Sequence, residues 1–207
     1  MTLTEDRSAP AGSNTTGAAI SEARRAMITS QLRTSGVNEP WVLEAMAGVA
    51  RENYVPAAMR DAAYIDRAIA LGEGRFLAAP LVHGRMLAEA EPTATDKVLL
   101  VGDGEGYLAA LLRSLAGSVD AVAPADASTA GEGGYSLIVI DGAIELLPDT
   151  LGARLADGGR VVTGLVVRGV TRLAVGSKAA GVVSLLPLAE MGVPVLPELA
   201  APKRWSF

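Results

Sequence analysis

The sequence predicts an α/β chain built on a doubly wound, mostly parallel sheet with an antiparallel edge hairpin. Three observations predict it. From Lys97 onward, apolar runs and amphipathic segments alternate at residues 98–101, 107–115, 118–122, 137–140, 151–155 and 160–165, the order of strand and helix in a parallel sheet. The first run leads into Gly102-Asp103-Gly104-Glu105-Gly106, a glycine-rich turn of the kind that lets a ligand approach the backbone at the carboxyl end of a first strand. Residues 171–175 and 182–186, joined by a loop over 176–181, read as a hairpin closing one edge of the sheet.

Taken in order, residues 1–16 are rich in Ser, Thr, Ala and Gly without periodicity, so a disordered tail over 1–17 is expected. Over 18–34 the residues Ile20, Ala23, Met27, Ile28 and Leu32 fall at helical spacing, and Gly36 ends the pattern. A second helix is expected to start at Asn38 as cap with Pro40 in its first turn, carrying Trp41, Val42, Leu43 and Met46. A short third helix is expected over 57–62. Residues 71–80 read as a loop, followed by a helix over 81–90 that stops near Pro92. These segments make an amino-terminal helical cover with a cleft loop over 18–92, and 93–207 make a Rossmann-like domain. Asp157-Gly158-Gly159 is a helix-to-strand turn.

One stretch is short. Only residues 123–134, mostly Ala, Gly, Ser and Pro, separate the second strand from the next, whereas a complete crossover needs about 10–12 residues including its helix. The middle region is therefore expected to lack a helix and a strand. That leaves part of the pocket wall unbuilt and an apolar surface exposed beside it, suited to a homodimer contact.

The glycine loop has the spacing G-x-G-x-G, and Tyr107 stands where the dinucleotide fingerprint has its last glycine. This favours a methyltransferase-like over a dehydrogenase-like site. Gly102, Asp103, Gly104 and Gly106 are candidate cofactor-binding residues. Asp103 and Glu105 either meet an ammonium or sulfonium of a ligand or cap the helix that follows, and both repel phosphate. Asp141 follows the buried run 137–140, at the strand end where ligands meet a parallel sheet; it is either a further cofactor residue or the turn residue before Gly142. His83 has no partner acid or nucleophile near it in sequence and reads as a surface or helix-cap histidine. Asp66 and Arg67 read as a pair tying the cover to the cleft loop, Arg75 as an exposed loop arginine, and Trp205 and Phe207 as residues that dock the tail or meet a partner.

Composition removes several classes of function. A net charge of −5 supplies no overall field for nucleic acid. There is no cysteine and one histidine, so thiolate metal sites, disulfides and cysteine nucleophiles are excluded and zinc has no ligand set. No apolar run approaches the ~18–20 residues of a membrane span and no secretory leader is visible. A cytoplasmic protein is the expectation.

Several stretches together resemble the protein-L-isoaspartate O-methyltransferases. They are Gln31-Leu32, Val42-Leu43-Glu44-Ala45-Met46, Arg51-Glu52-Asn53-Tyr54-Val55-Pro56 and Ala63-Tyr64-Ile65-Asp66-Arg67-Ala68-Ile69, followed by Gly72 and Gly74 with Pro80, the Gly102 loop with Tyr107, and Pro148 through Gly158-Gly159-Arg160-Val161-Val162. The likeness spans 18–197 apart from the short middle region. It implies S-adenosylmethionine as cofactor and methylation of the carboxylate of L-isoaspartyl residues in damaged proteins or peptides. The leaving thioether needs no acid catalyst, so positioning and exclusion of water carry such a transfer.

The resemblance also marks departures. Phe76 and Ala78 stand where the family has hydroxyl residues, the second being its active-site serine. Leu100 and Ala123 stand where the family has cofactor acids, the latter the one that holds the ribose. Loss of two charge-assisted hydrogen bonds at about 1.5–3 kcal/mol each weakens cofactor binding by roughly two to four powers of ten. Two readings follow. One is a repair methyltransferase that holds its cofactor weakly through the backbone of Gly102 to Gly106; the other is a catalytically inactive descendant serving as a binding or interaction module.

Overall fold

The computed structural model describes residues 12–201. Helix α1 (Gly12–Ala26) opens ahead of the expected start, so 12–16, assigned by composition to a tail, are helical, while 1–11 lie outside the described residues. The rod continues through a π-helical turn (Met27–Leu32) and a 3-10 turn (Arg33–Ser35), and ends at Gly36 with φ +86°. Helix α2 (Pro40–Gly48) has Glu39 rather than Asn38 at its N-cap position, without a side-chain cap; the Glu39 carboxylate instead accepts the preceding Asn38 amide at 3.0 Å, and Pro40 fits the first turn because it has no amide to satisfy. Residues Arg51–Tyr54 and Ala57–Ala62 form 3-10 turns.

The stretch read as a loop is a tight hairpin, β1 (Ile69–Gly72) and β2 (Arg75–Leu77), turned by Glu73 and Gly74 at positive φ. Helix α3 (Pro80–Ala90) follows and closes on Glu91 in the left-handed region, just before Pro92. Its last carbonyls are not left open. Arg160 donates to the carbonyls of Ala90 and Glu91 and pairs with Asp96 at 2.8 Å. Burial alone would push the Asp96 carboxyl up, but the Arg160, Ser136 and Thr93 donors together hold it well below the usual carboxylate range.

The remaining elements are β3 (Lys97–Val101), α4 (Tyr107–Arg113), β4 (Ser118–Val122), β5 (Tyr135–Ile144), α5 (Asp149–Arg154), β6 (Leu155–Val167), β7 (Val170–Ala179) and β8 (Val182–Glu190). The sheet order is β4-β3-β5-β6-β7-β8, with the first four parallel and the last two antiparallel. The predicted 176–181 loop contracts to Ala180-Gly181, both at positive φ, the backbone a two-residue hairpin turn requires. Side chains alternate across β3 and β5. Val98, Leu100, Leu137 and Val139 join α3, α4 and the amino-terminal cover in one continuous core. Leu99, Val101, Ile138 and Ile140 face the other way, toward Leu151 of α5 and Leu199.

The connection between β4 and β5 holds only a 3-10 turn, Pro124–Asp126, so the missing helix and strand are indeed absent there. Among the described residues the exposed apolar surface expected beside it is reduced to Val195. Edge strand β4 exposes Ser118, Asp120 and Ala121, while exposed large apolar side chains lie at the far edge on β8 (Val182, Leu186, Leu188) and at Phe76, Leu146, Val170 and Val195. The reason is a carboxyl-terminal strap. Residues 194–199 run back over the end of β5, with Val195 bridging Ala143 and backbone bonds from the Ala143 amide to Pro194 and from the Leu196 amide to Ala143. Leu199 and Ala127 are buried together in the second core. Trp205 and Phe207 lie outside the described residues.

Candidate functional site

Strands β4 and β5 leave β3 in opposite directions, and a crevice opens where they diverge, at the carboxyl ends of the strands. It is a cavity of about 590 Å³, within the range of small-molecule sites. The glycine loop forms its floor. The Gly102 amide donates to the Val122 carbonyl, the Asp103 carboxylate accepts the Glu105 amide at 2.9 Å, and Gly106 precedes α4 without any side-chain cap. Asp103 therefore shapes the turn, while Glu105 reaches toward Arg113 at 3.6 Å on an exposed face. All five loop residues line the cavity.

Asp141 lines it too, and β5 delivers it through an irregularity. Between Val139 and Ala143 the strand advances four residues while β6 advances from Val162 to Gly164, a bulge that re-aims the side chains within it. A Cβ placed on Gly102 would stand 3.0 Å from that of Asp141, so the close approach of loop and strand is eased by the missing side chain of Gly102.

Behind Asp141 lies a buried polar chain. His83 of α3 is fully buried, and its Nε2 is 3.0 Å from Asp141 Oδ1. Its Nδ1 faces Arg51 Nη1 at 3.3 Å. Arg51, also fully buried, donates to the carbonyls of Ala63 and Ala78, and its guanidinium stacks over the Tyr107 ring at 5.1 Å. Burial lowers Arg51 to about 10, which leaves it charged at neutral pH. Burial raises the Tyr107 phenol; its hydroxyl has no hydrogen-bond partner among the described residues although the residue lines the cavity.

The surface or cap role read for His83 is thus corrected. Its partners stand 32 and 58 residues away in the chain, beyond any local reading. Asp66 and Arg67 are exposed and form no ion pair among the described residues. The cover is instead tied by Arg24, which donates to Tyr64 at 2.7 Å and to Glu52 at 2.8 Å, with the Tyr64 hydroxyl donating to Glu52; burial and that carboxylate push Tyr64 up to about 12. Arg75 is an exposed turn residue at the cavity mouth, 3.9 Å from Glu73.

Of the departures, Phe76 stands half exposed at the mouth, and Ala78 is buried with its carbonyl occupied by Arg51. Leu100 is core. Ala123 lies on the cavity wall together with Ala121 and Pro124, and the strap residues Val195, Leu196 and Glu198 complete that wall. The wall expected to be unbuilt is therefore replaced from the other end of the chain. Among the described residues Asp103, Glu105, Asp141 and Glu198 give the lining four carboxylates against one guanidinium, Arg75, a field that suits a cationic ligand. Among the described residues no three His, Asp or Glu side chains are grouped to hold a metal ion, and no helix is long and apolar enough to cross a membrane.

A doubly wound sheet with a glycine loop opening into a cavity at its switch point defines this chain as a methyltransferase-type α/β protein. The family model described as "Protein-L-isoaspartate(D-aspartate) O-methyltransferase (PCMT)" matches residues 22–129. Protein-L-isoaspartate O-methyltransferase 1 of Rhodopseudomonas palustris is 33% identical over 165 residues, 67% of either chain. The enzyme of that name from Koribacter versatilis is 34% identical over 173 residues, 71% of this chain and 77% of its own. A crystal structure from Plasmodium falciparum, described as a beta-aspartate methyltransferase in complex with S-adenosyl-L-homocysteine, has the same fold, with a TM-score of 0.67 at 16% identity over 84% of this chain and 98% of its own. The chain belongs to the protein-L-isoaspartate O-methyltransferase family.

Proposed function

We propose that the cavity binds S-adenosylmethionine and that the chain transfers its methyl group to isoaspartyl carboxylates of damaged proteins, with weaker cofactor binding and slower turnover than relatives carrying the full set of acids and hydroxyls. The observation that carries this reading is the meeting of the Gly102–Gly106 loop with Asp141 across one cavity of about 590 Å³. Gly102, Gly104 and Gly106 give the ligand access to the backbone, Asp103 holds the loop, and Asp141 presents a carboxylate to a positive group. The excess of carboxylates fits a ligand carrying both a sulfonium and an ammonium. The bound cofactor supplies an electrophilic methyl whose departure leaves a neutral thioether, so the protein's tasks are alignment and exclusion of water.

On the β4 side Ala123 offers no ribose acceptor, which accounts for the weaker binding. A cytoplasmic place of action accords with a cysteine-free chain. Calorimetric titration tests the reading. Micromolar binding of S-adenosylmethionine followed by methyl transfer to an isoaspartyl peptide supports it, and no heat at millimolar cofactor ends it. A second reading, a cofactor-binding module without transferase activity, draws on the lack of side-chain hydroxyls at Phe76 and Ala78. Binding without transfer, with transfer appearing in Ala78→Ser, would select it.

A further inference from the structure

A fully buried imidazole is costly unless both ring nitrogens are satisfied. At His83 they are, and by partners of opposite kind. Arg51 can only donate, so the Nδ1 it faces must be the bare, accepting nitrogen, and the ring proton sits on Nε2 and is donated to Asp141 Oδ1. The tautomer follows from the partners alone. Tyr107 packs beside the ring at 5.6 Å and offers it no competing hydrogen bond.

The consequence for Asp141 lies in what the imidazole does not do. A guanidinium placed directly against a carboxylate engages both oxygens and neutralises it. A neutral imidazole set between Arg51 and Asp141 engages one oxygen. Oδ2 is left without a protein partner among the described residues, on a side chain that lines the cavity and is 19% exposed. The bulge between Val139 and Ala143 aims the same side chain. Two unusual features, a buried polar chain and a broken strand register, thus converge on the direction of one carboxylate.

We propose that His83 is a positioning residue: held as its Nε2–H tautomer by Arg51, it fixes Asp141 so that the free oxygen meets the positive centre of the ligand, making the site selective for a sulfonium over a neutral thioether. The choice of ligand rests on the cofactor reading above; the tautomer does not.

The chain has a single histidine, so nitrogen NMR of the untagged, full-length protein reads this ring without assignment. At neutral pH the expected spectrum shows a protonated Nε2 and a bare Nδ1. An imidazolium or the opposite tautomer overturns the positioning role. Titrations with S-adenosylmethionine and S-adenosylhomocysteine then read its effect. Asp141→Asn keeps an acceptor for His83 and removes only the charge; it is expected to weaken the sulfonium compound about tenfold and the thioether less than about threefold.

His83→Met is expected to lose the same preference. His83→Gln restores it to within about threefold, because an amide can accept from Arg51 and donate to Asp141 at once. Equal losses for both compounds, or a glutamine variant no better than methionine, overturn the proposal. If His83→Met does not fold, Asp141→Asn and the spectrum decide it. No binding of either compound to the wild type ends the cofactor reading and the ligand-facing part of this proposal together, whereas a wrong tautomer with intact binding ends the positioning alone.

Discussion

On the β3–β5 side of the cavity, Asp141 is braced by His83, which Arg51 holds in turn, and its β-carbon lies close to Gly102 of the glycine loop. On the β4 side, Ala121, Ala123 and Pro124 line the cavity together with Val195 and Leu196 of the strap, and among the described residues Glu198 is the charged side chain of that wall. On the first wall side-chain hydrogen bonds fix the direction of a charge; on the second, backbone bonds between the strap and β5 hold a mostly apolar lining that fixes only shape. A ligand long enough to span both meets a directional charge at one end and little more than van der Waals contact at the other. Substitutions on the two walls should therefore fail in different ways.

The largest effect is expected on the braced wall. Arg51→Met leaves two buried carbonyls and the His83 Nδ1 without their donor and should lower stability by about 3–5 kcal/mol in urea denaturation. A loss below about 1 kcal/mol would mean that the chain rearranges freely and that the wall is not braced.

Asp96→Asn provides a reference outside either wall, at the opposite end of the sheet. It should cost about 1.5–3 kcal/mol at neutral pH and leave ligand affinity unchanged. Because the folded carboxyl is held below its ordinary value, its contribution is complete above the unfolded pKa of about 3.9 and is lost as pH falls below it toward the folded value. Stability of the wild type should accordingly drop more steeply than that of the variant on acidification below about pH 4, as followed by denaturation midpoints.

On the packed wall the expected effects are smaller. A Cβ on Gly142 would stand 2.4 Å from Leu196, so Gly142→Ala should push the strap outward, cost about 1–3 kcal/mol and open 194–199 to proteolysis. A variant with native stability and an intact protease pattern would show that the strap yields without cost. Ala123→Asp returns an acid to this wall and should raise S-adenosylmethionine affinity about tenfold by calorimetry. No gain would mean that binding is limited by the strap's shape rather than by the missing acceptor.

How much could be read beforehand differed between the walls as well. The glycine loop and the strand that carries Asp141 are local patterns; the loop lies where its spacing put it, whereas the strand, expected over 137–140, runs on through Asp141 to Ile144. The partners of Asp141 could not be read, because His83 and Arg51 sit on other elements and carry no motif that marks a buried chain. A fully buried histidine in α3 looks the same in sequence as one at the surface. The hairpin Ile69–Gly72 with Arg75–Leu77 was also illegible: strands of four and three residues are too short for periodicity to separate from a loop. The signal available was Gly72-Glu73-Gly74, a turn with Ile69-Ala70-Leu71 before it and Arg75-Phe76-Leu77 after it.

The sequence by itself determined which elements alternate from Lys97 to Glu190, the mostly parallel sheet with its antiparallel edge, the absence of a helix and strand after Val122, and the family. These depend on side-chain period and turn residues within a few positions of each other. It did not determine the extents: β5 runs on to Ile144, and β6 opens at Leu155 and takes in 157–159, expected as a turn. Only the tertiary structure decided that Arg51, His83 and Asp141 form one chain, that a bulge turns Asp141 toward the cavity, and that a strap from the carboxyl terminus replaces the missing wall. Each of those requires residues distant in sequence to meet at hydrogen-bond or van der Waals distance, and no local pattern encodes which distant groups will be brought together.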